Sequence, residues 1–342
     1  MRTCLFLSIF CFIVSCTSTT ESPPFTGVDI EILYRDSLSI RAIELMPGSL
    51  AFAANKGVFG TVDLSTHKVR TNIQQFDSIL PEFRAVAHTK SDFFMLSVAN
   101  PALLYKTGNK GTMELVYSER DSLVFYDAMK FWNDQEGIAI GDSMNGCLSV
   151  IITRDGGQSW NKLDCEKLPE AAKGEGAFAA SNTNIAIIGD HCWVATTSGR
   201  IYYSADKGTA WELFDTPIIN ELSTQGIYSI DFYNESLGIV IGGDYTAPDG
   251  NKKNKALSTD GGRSWKLLAD GVNPGYKSCV QFVPGTGGKG IVALGFTGIS
   301  YSGDQGHTWK SLSNESFYTL RFLNDTIAYA AGRNRIAKLT FK

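Results

Sequence analysis

One short pattern recurs four times along the chain: an aspartate, a glycine two residues on, and a tryptophan five residues on. The copies are Asp155-Gly157-Trp160, Asp206-Gly208-Trp211, Asp260-Gly262-Trp265 and Asp304-Gly306-Trp309, in the strings TRDGGQSW, SADKGTAW, STDGGRSW and SGDQGHTW. A pattern repeated at this spacing marks an array of similar units. Its chemistry is that of a tight hairpin. The aspartate accepts hydrogen bonds from backbone N–H groups of the turn. The glycine supplies a positive φ, and the tryptophan packs a large apolar face between hairpins. These twelve residues therefore read as structural.

Between the turns the chain reads as short apolar or alternating strands, with no sustained helical period. One unit runs through strands at Val124–Phe131, Gly137–Gly141, Leu148–Thr153 and Ser159–Leu163, a four-stranded meander. The same order recurs at Ile227–Phe232, Gly238–Gly242, Lys255–Ser258 and Ser264–Leu268. Weaker marks stand at Asp63 in TVDLSTHK and at Asn109-Lys110-Gly111 in KTGNKGT. A last unit starts at Phe317 and has three strands, whereas a lone strand, Val28–Tyr34, precedes the first unit. Pairing the two completes a fourth strand, closes a ring and removes exposed edges. The expected fold is all-β: a single seven-bladed β-propeller over residues 28–342, with six or eight blades as the neighbouring solutions.

The chain has 342 residues and a net charge of −4. Such a chain does not bind nucleic acid through bulk charge. Its densest basic cluster, Lys252, Lys253 and Lys255, lies among polar residues and reads as a solvated loop. At the N-terminus, Arg2 precedes a short apolar run, Cys4–Val14, and then Ile13-Val14-Ser15-Cys16, which resembles a bacterial lipobox. Residues 1–15 read as a lipoprotein signal peptide, Cys16 as the lipidated residue and 16–27 as a polar tether. The expected location is the cell envelope, with the outer membrane favoured. Cys147, Cys165, Cys192 and Cys279 remain; Cys147–Cys165 can form a disulfide within one unit, and free buried thiols fit equally well. No CxxC, haem CxxCH or GxGxxG motif appears, and His67, His88, His191 and His307 are scattered, so no metal or cofactor is expected.

The TRDGGQSW-type strings resemble Asp-box repeats, also called bacterial neuraminidase repeats. The longer strings FYDAMKFWNDQEGIAIGD, GEGAFAAS and YSIDFYNESLGIVIGGDY resemble bacterial propellers similar to the photosystem II stability/assembly factor family, over about residues 28–342. That resemblance implies a propeller with an exported scaffold or binding role.

In a propeller the inner strands start on the face where the second strands end, opposite the Asp-Gly-Trp turns. Aligned by their apolar positions, the inner strands bring Arg41, Arg84, Asp127, Tyr228, Ser278 and Tyr318 to one level, with Glu175 near them. Asp142, Asp244 and Tyr245 end second strands on the same face. These residues form a candidate polar ring around the channel mouth. Two guanidiniums there suit a carboxylate or phosphate, unless the acids pair with them internally. The loop Thr246–Lys255 can serve as a lid or be an idle insertion. The reading favoured is a non-catalytic, membrane-tethered monomeric domain that binds an envelope protein or glycan at this mouth. The alternative is a sialidase-like glycoside hydrolase, which needs an arginine cluster, a tyrosine beside a glutamate, and an acid. Arg41, Arg84, Tyr228, Glu175 and Asp127 supply those types, but the Arg-Ile-Pro signature of such enzymes is replaced by Ser39-Ile40-Arg41-Ala42-Ile43.

Overall fold

The computed structural model describes residues 24–108 and 111–342. Cys16, the leader and the pair Asn109-Lys110 lie outside the described residues. The strands form seven antiparallel sheets, six of them four-stranded meanders in chain order: blade 1 over 42–73, blade 2 over 83–119, blade 3 over 126–162, blade 4 over 185–215, blade 5 over 225–267 and blade 6 over 279–313, the remaining sheet being blade 7. The seventh contains Thr319–Phe322, the long strand Ile327–Phe341 and the N-terminal strand Val28–Ser39. Ile327–Phe341 reverses at Asn334, where φ is 65°, and the Phe341 N–H donates back to the Thr326 carbonyl at 2.8 Å. Its first half pairs with Thr319–Phe322 and its second half with Val28–Ser39. The chain is a seven-bladed β-propeller, closed by its N-terminal strand. Phe25, in the segment read as tether, is buried between Tyr301 and Phe341 at centroid distances of 4.7 and 4.8 Å. Packing thus begins ahead of the first strand.

The core is a ring rather than a single centre. Apolar clusters fill each interface between successive blades; Phe94, Leu104, Tyr126, Ile151 and Trp160, for example, join blades 2 and 3. Blades are stacked face to face, so their middle strands are apolar on both sides: Phe93–Ser97 and Cys147–Thr153 are buried throughout. The outermost strands, such as Val69–Ile73, are largely exposed and polar.

The four turns contribute to these interfaces. In each, the hydroxyl two residues before the aspartate (Thr153, Ser204, Ser258 or Ser302) donates to the carboxylate at 2.8 Å and accepts the glycine N–H at 2.8–2.9 Å. That hydroxyl is a hub of the turn that the Asp-Gly-Trp pattern alone does not reveal. The glycines have φ of 78–88°. A Cβ on Gly157 would lie 2.3 Å from Phe94, and one on Gly262 2.8 Å from Trp193, in each case on the preceding blade. Glycine is therefore required twice over, by backbone conformation and by blade-to-blade approach.

Cys147 and Cys165 form a disulfide with a Cα–Cα distance of 5.4 Å, while Cys192 and Cys279 are buried free thiols. The bridge fastens the chain just before it leaves blade 3 for the centre of the ring.

Candidate functional site

The central channel is not open from end to end. Blade 4 has a short inner strand, Ile185–Ile188, and the residues before it leave the sheet and cross the channel. This plug, residues 178–184, bonds to the inner region of every other blade. The Ala180 carbonyl accepts from Arg41 Nη1 of blade 1 at 3.4 Å. The Asn182 side chain donates to the Val86 carbonyl of blade 2 at 2.7 Å and accepts the Met129 N–H of blade 3 at 3.0 Å. Thr183 Oγ1 donates to Ser229 Oγ of blade 5 at 2.7 Å, and Ser181 Oγ donates to the Ser278 carbonyl of blade 6 at 2.7 Å. Thr319 Oγ1 of blade 7 donates to the Ser181 carbonyl at 2.9 Å. Seven blades leave an axial space lined by backbone polar groups. The small polar run Ser181-Asn182-Thr183 satisfies them where apolar side chains would leave them unpaired.

Above the plug lies the mouth. Three of its residues owe their orientation to β-bulges. Arg84, Asp127 and Tyr228 are each skipped in the pairing of first with second strand, between Phe83 and Ala85, Tyr126 and Ala128, and Ile227 and Ser229. A bulged residue is re-aimed relative to the pleat. Phe83 and Tyr126 consequently turn into the core between blades. The glycines opposite permit the bulge: a Cβ on Gly141 or Gly242 would collide with the Phe125 or Gly226 carbonyl at 2.1 or 1.9 Å. This is the structural content of the GIAIGD and GIVIGGD strings.

Arg41, Arg84, Tyr228, Tyr245 and Tyr318 line one cavity of about 320 Å³, as the aligned ring predicts. The sequence reading missed its aromatic floor, made by Phe178 of the plug with Tyr276 and Phe296. Phe178 stacks on Tyr228 with centroids 3.7 Å apart and planes 4° off parallel, and Tyr276 meets Tyr228 edge-on at 4.7 Å. The Tyr228 hydroxyl donates to the Thr224 carbonyl at 2.8 Å, and burial pushes its pKa up. Arg41 lies over the Tyr318 ring at 4.1 Å, and its buried Nε has no partner. Burial, then the neighbouring Arg84, hold its pKa below the usual arginine value. Arg84 donates through Nε and Nη2 to Glu82 at 2.8 and 2.5 Å.

The other predicted residues stand apart from this cavity, each for a physical reason. Asp127 is fully buried next to Asp142 and the Ala177 N–H, with neither carboxylate oxygen in a well-formed hydrogen bond. Burial, then Asp142, push its pKa well up. Asp142 accepts the Ala177 N–H at 3.3 Å, and burial raises its pKa to about 6. It borders an adjoining groove with Phe178, Thr197 and Gln225. Glu175 belongs to a closed network: it takes Arg200 Nη2 and Nε, the latter at 3.0 Å, with Thr196 Oγ1 at 2.6 Å, the Tyr202 hydroxyl at 3.0 Å and the Ala172 N–H at 2.8 Å. Asp244 caps its own loop, accepting Thr246 N–H and Oγ1–H at 2.8 and 2.6 Å, and this bonding holds it below the usual carboxylate range.

The Thr246–Lys255 loop packs down beside the mouth, with the Pro248 carbonyl accepting the Tyr276 N–H at 2.9 Å. The solvated reading of its lysines fails at Lys255. That side chain is fully buried, donating to Asn254 Oδ1 and to the Val272 and Pro274 carbonyls at 2.7, 2.8 and 3.1 Å, and burial lowers its pKa to about 8. Among the described residues, no cluster of three or more acids, histidines or cysteines could hold a metal, and no helix is long and apolar enough to cross a membrane.

Comparison with known proteins returns the same architecture. The family described as "Sortilin, neurotensin receptor 3" (Sortilin-Vps10) has a model that matches residues 148–281, less than half of the chain. No curated protein matches the sequence. Among solved structures, YCF48 bound to D1 peptide is 13 % identical at a TM-score of 0.66, covering 94 % of this chain and 99 % of that one. YCF48 from Cyanidioschyzon merolae is 10 % identical at a TM-score of 0.63, covering 92 % and 98 %. The WD40 repeats of RRP9 are 11 % identical at 0.65, covering 94 % and 100 %. At these identities the chain shares with them the propeller fold.

Proposed function

We propose that the protein is a non-catalytic binding or assembly scaffold, exported and tethered to the envelope through a lipidated Cys16, with its partner held at the mouth. The observation that carries this reading is the mouth itself: two arginines over an aromatic floor, with Tyr245 and Phe296 of its lining exposed to a partner. Arginine and aromatic side chains around a desolvated centre are the usual anchors of protein recognition. The Arg41 guanidinium lines the cavity with no carboxylate paired to it, and so offers positive charge to an incoming acidic group. A fold shared with YCF48, whose solved complex holds a D1 peptide, supports a protein segment over a glycan. The glycoside-hydrolase alternative lacks its nucleophile pair. Tyr228 donates to a backbone carbonyl, and Glu175 is enclosed with Arg200.

Capture of envelope proteins by the tethered protein, followed by thermal-shift titration of the mature protein with the captured partner, tests this. Arg41→Ala should weaken binding about tenfold or more, the usual loss for a hydrogen bond to a charged group. Equal capture by wild type and Arg41→Ala, or turnover of a sialoside, would sink the reading. The tether is tested separately: Cys16→Ser should move the protein from the membrane to the soluble fraction, and retention in the membrane would refute lipid anchoring.

A further inference from the structure

Below the plug the channel forms a second compartment. The inner strands carry the mouth residues at their starts and a further set of polar residues three or four positions on, toward the face of the Asp-Gly-Trp turns. Glu44, His88, Lys130, Asp231, Gln281 and Arg321, one from each of six blades, wall a cup of about 160 Å³. That is room for roughly five water molecules. The plug closes its inner end with Asn182 and Thr183.

Most of the charge in the cup is internally matched. Glu44 lies 3.3 Å from His88 Nδ1 through one oxygen and 3.5 Å from Arg321 Nε through the other, within ion-pair distance of both. The remaining Arg321 donors go to the Leu320 carbonyl at 2.8 Å, Thr319 Oγ1 at 3.0 Å and the Asn182 carbonyl at 3.2 Å. Two opposite charges are left over. Lys130, exposed at the rim, has no hydrogen bond or ion pair among the described residues. Asp231 accepts only backbone N–H groups, that of Phe282 at 2.7 Å among them, and no cation reaches its carboxylate within 4.0 Å. Asp231 feels the positive charge of Lys130, and less strongly that of Arg321, across the cup. Gln281 uses its oxygen to accept the Phe322 N–H at 3.3 Å, which leaves its amide N–H groups as donors.

We propose that the cup binds a small zwitterion of the α-amino acid class, its carboxylate on Lys130 and the Gln281 amide and its ammonium on Asp231. A simple anion would face Asp231 with nothing to offset that acid, a simple cation would face Lys130 and Arg321, and a neutral ligand would exclude water from Asp231 without replacing it. Ile185 and Ile230 supply apolar wall for a short side chain, and the volume excludes a large one.

Isothermal titration calorimetry of the intact protein at pH 8, where Asp231 is ionised, tests this with glycine, L-alanine and L-serine against propionate and ethylamine. L-alanine should bind roughly tenfold or more tightly than either singly charged analogue. Lys130→Met and Asp231→Asn should each weaken it by a similar factor, while Lys310→Met on an exposed outer strand leaves it unchanged. Lys130 is exposed, so an unchanged melting temperature in Lys130→Met separates recognition from folding. No binding of the three amino acids at millimolar concentration, equal affinity for propionate and L-alanine, or full binding by Lys130→Met would each overturn the assignment.

Discussion

Arg200→Met should lower the unfolding free energy by about 3–5 kcal/mol, the usual result of removing one partner from a buried ion pair. The Glu175 side chain has 0 % exposure and that of Arg200 18 %. Without the guanidinium, Thr196, Tyr202 and the Ala172 N–H still bond the carboxylate, but no cation compensates it. The effect should spread to the plug, because Glu175 stands at its entrance: the Glu175 carbonyl accepts the Ser143 N–H at 2.9 Å and the Gly176 carbonyl accepts the Thr197 N–H at 2.8 Å. Urea unfolding should show a lower midpoint with an unchanged slope. The double replacement Glu175→Gln/Arg200→Met should recover a large part of the loss, since it removes the stranded charge as well as its partner. An Arg200→Met protein within about 1 kcal/mol of wild type would mean that the network contributes no more than an ordinary surface pair.

Stability should fall as pH rises through the weakly acidic range, the reverse of the usual behaviour of paired carboxylates. Burial, then Asp142, raise Asp127, and burial raises both Asp142 and Asp231 to about 6. A carboxyl with a raised folded pKa binds more protons folded than unfolded. Its contribution is complete below about pH 4 and is lost as pH climbs through the folded value, at about 1.4 kcal/mol per pH unit per group. The aspartates of the four turns are shifted the other way. Although burial raises them, the turn hydrogen bonds hold them below the usual range, so their contribution is lost only as pH falls. The melting temperature should therefore peak near pH 4–5 and decline toward pH 8. Asp127→Asn keeps the shape and removes the charge. It should match wild type near pH 4 and exceed it at pH 8, because an amide carries no charge to hold in that buried site and can still donate to the adjacent Asp142 carboxylate. A variant less stable than wild type at pH 8 would refute the protonated-carboxyl account.

Local periodicity made the architecture legible. The Asp-Gly-Trp turns fix the third hairpin of four blades, and alternating apolar runs fix the strands between them. The unpaired first strand and the incomplete last unit can satisfy their edges only by meeting. Half of the mouth was legible for the same reason, since aligned inner strands carry Arg41, Arg84, Tyr228 and Tyr318 to one level. The cup was within reach too: Glu44, Lys130, Asp231, Gln281 and Arg321 each lie three residues beyond the aligned level. Strict strand alternation hides them, because period two puts residues three apart on opposite faces, and the bulges at Asp127 and Tyr228 restore Lys130 and Asp231 to the channel.

The sequence by itself determined the repeat, the closure of the ring and the level at which polar residues gather, because these follow from hydrogen-bonded turns and side-chain alternation within a few residues, whereas the choice of seven blades over six or eight came from the assembled sheets. Only the tertiary structure decided that GEGAFAAS and the residues after it leave blade 4 to seal the channel, that Glu175 belongs to Arg200, that Lys255 is buried and that Asp127 is buried beside Asp142 with its pKa pushed up. Those outcomes depend on which groups from distant blades converge on one axis, and on how much water remains there.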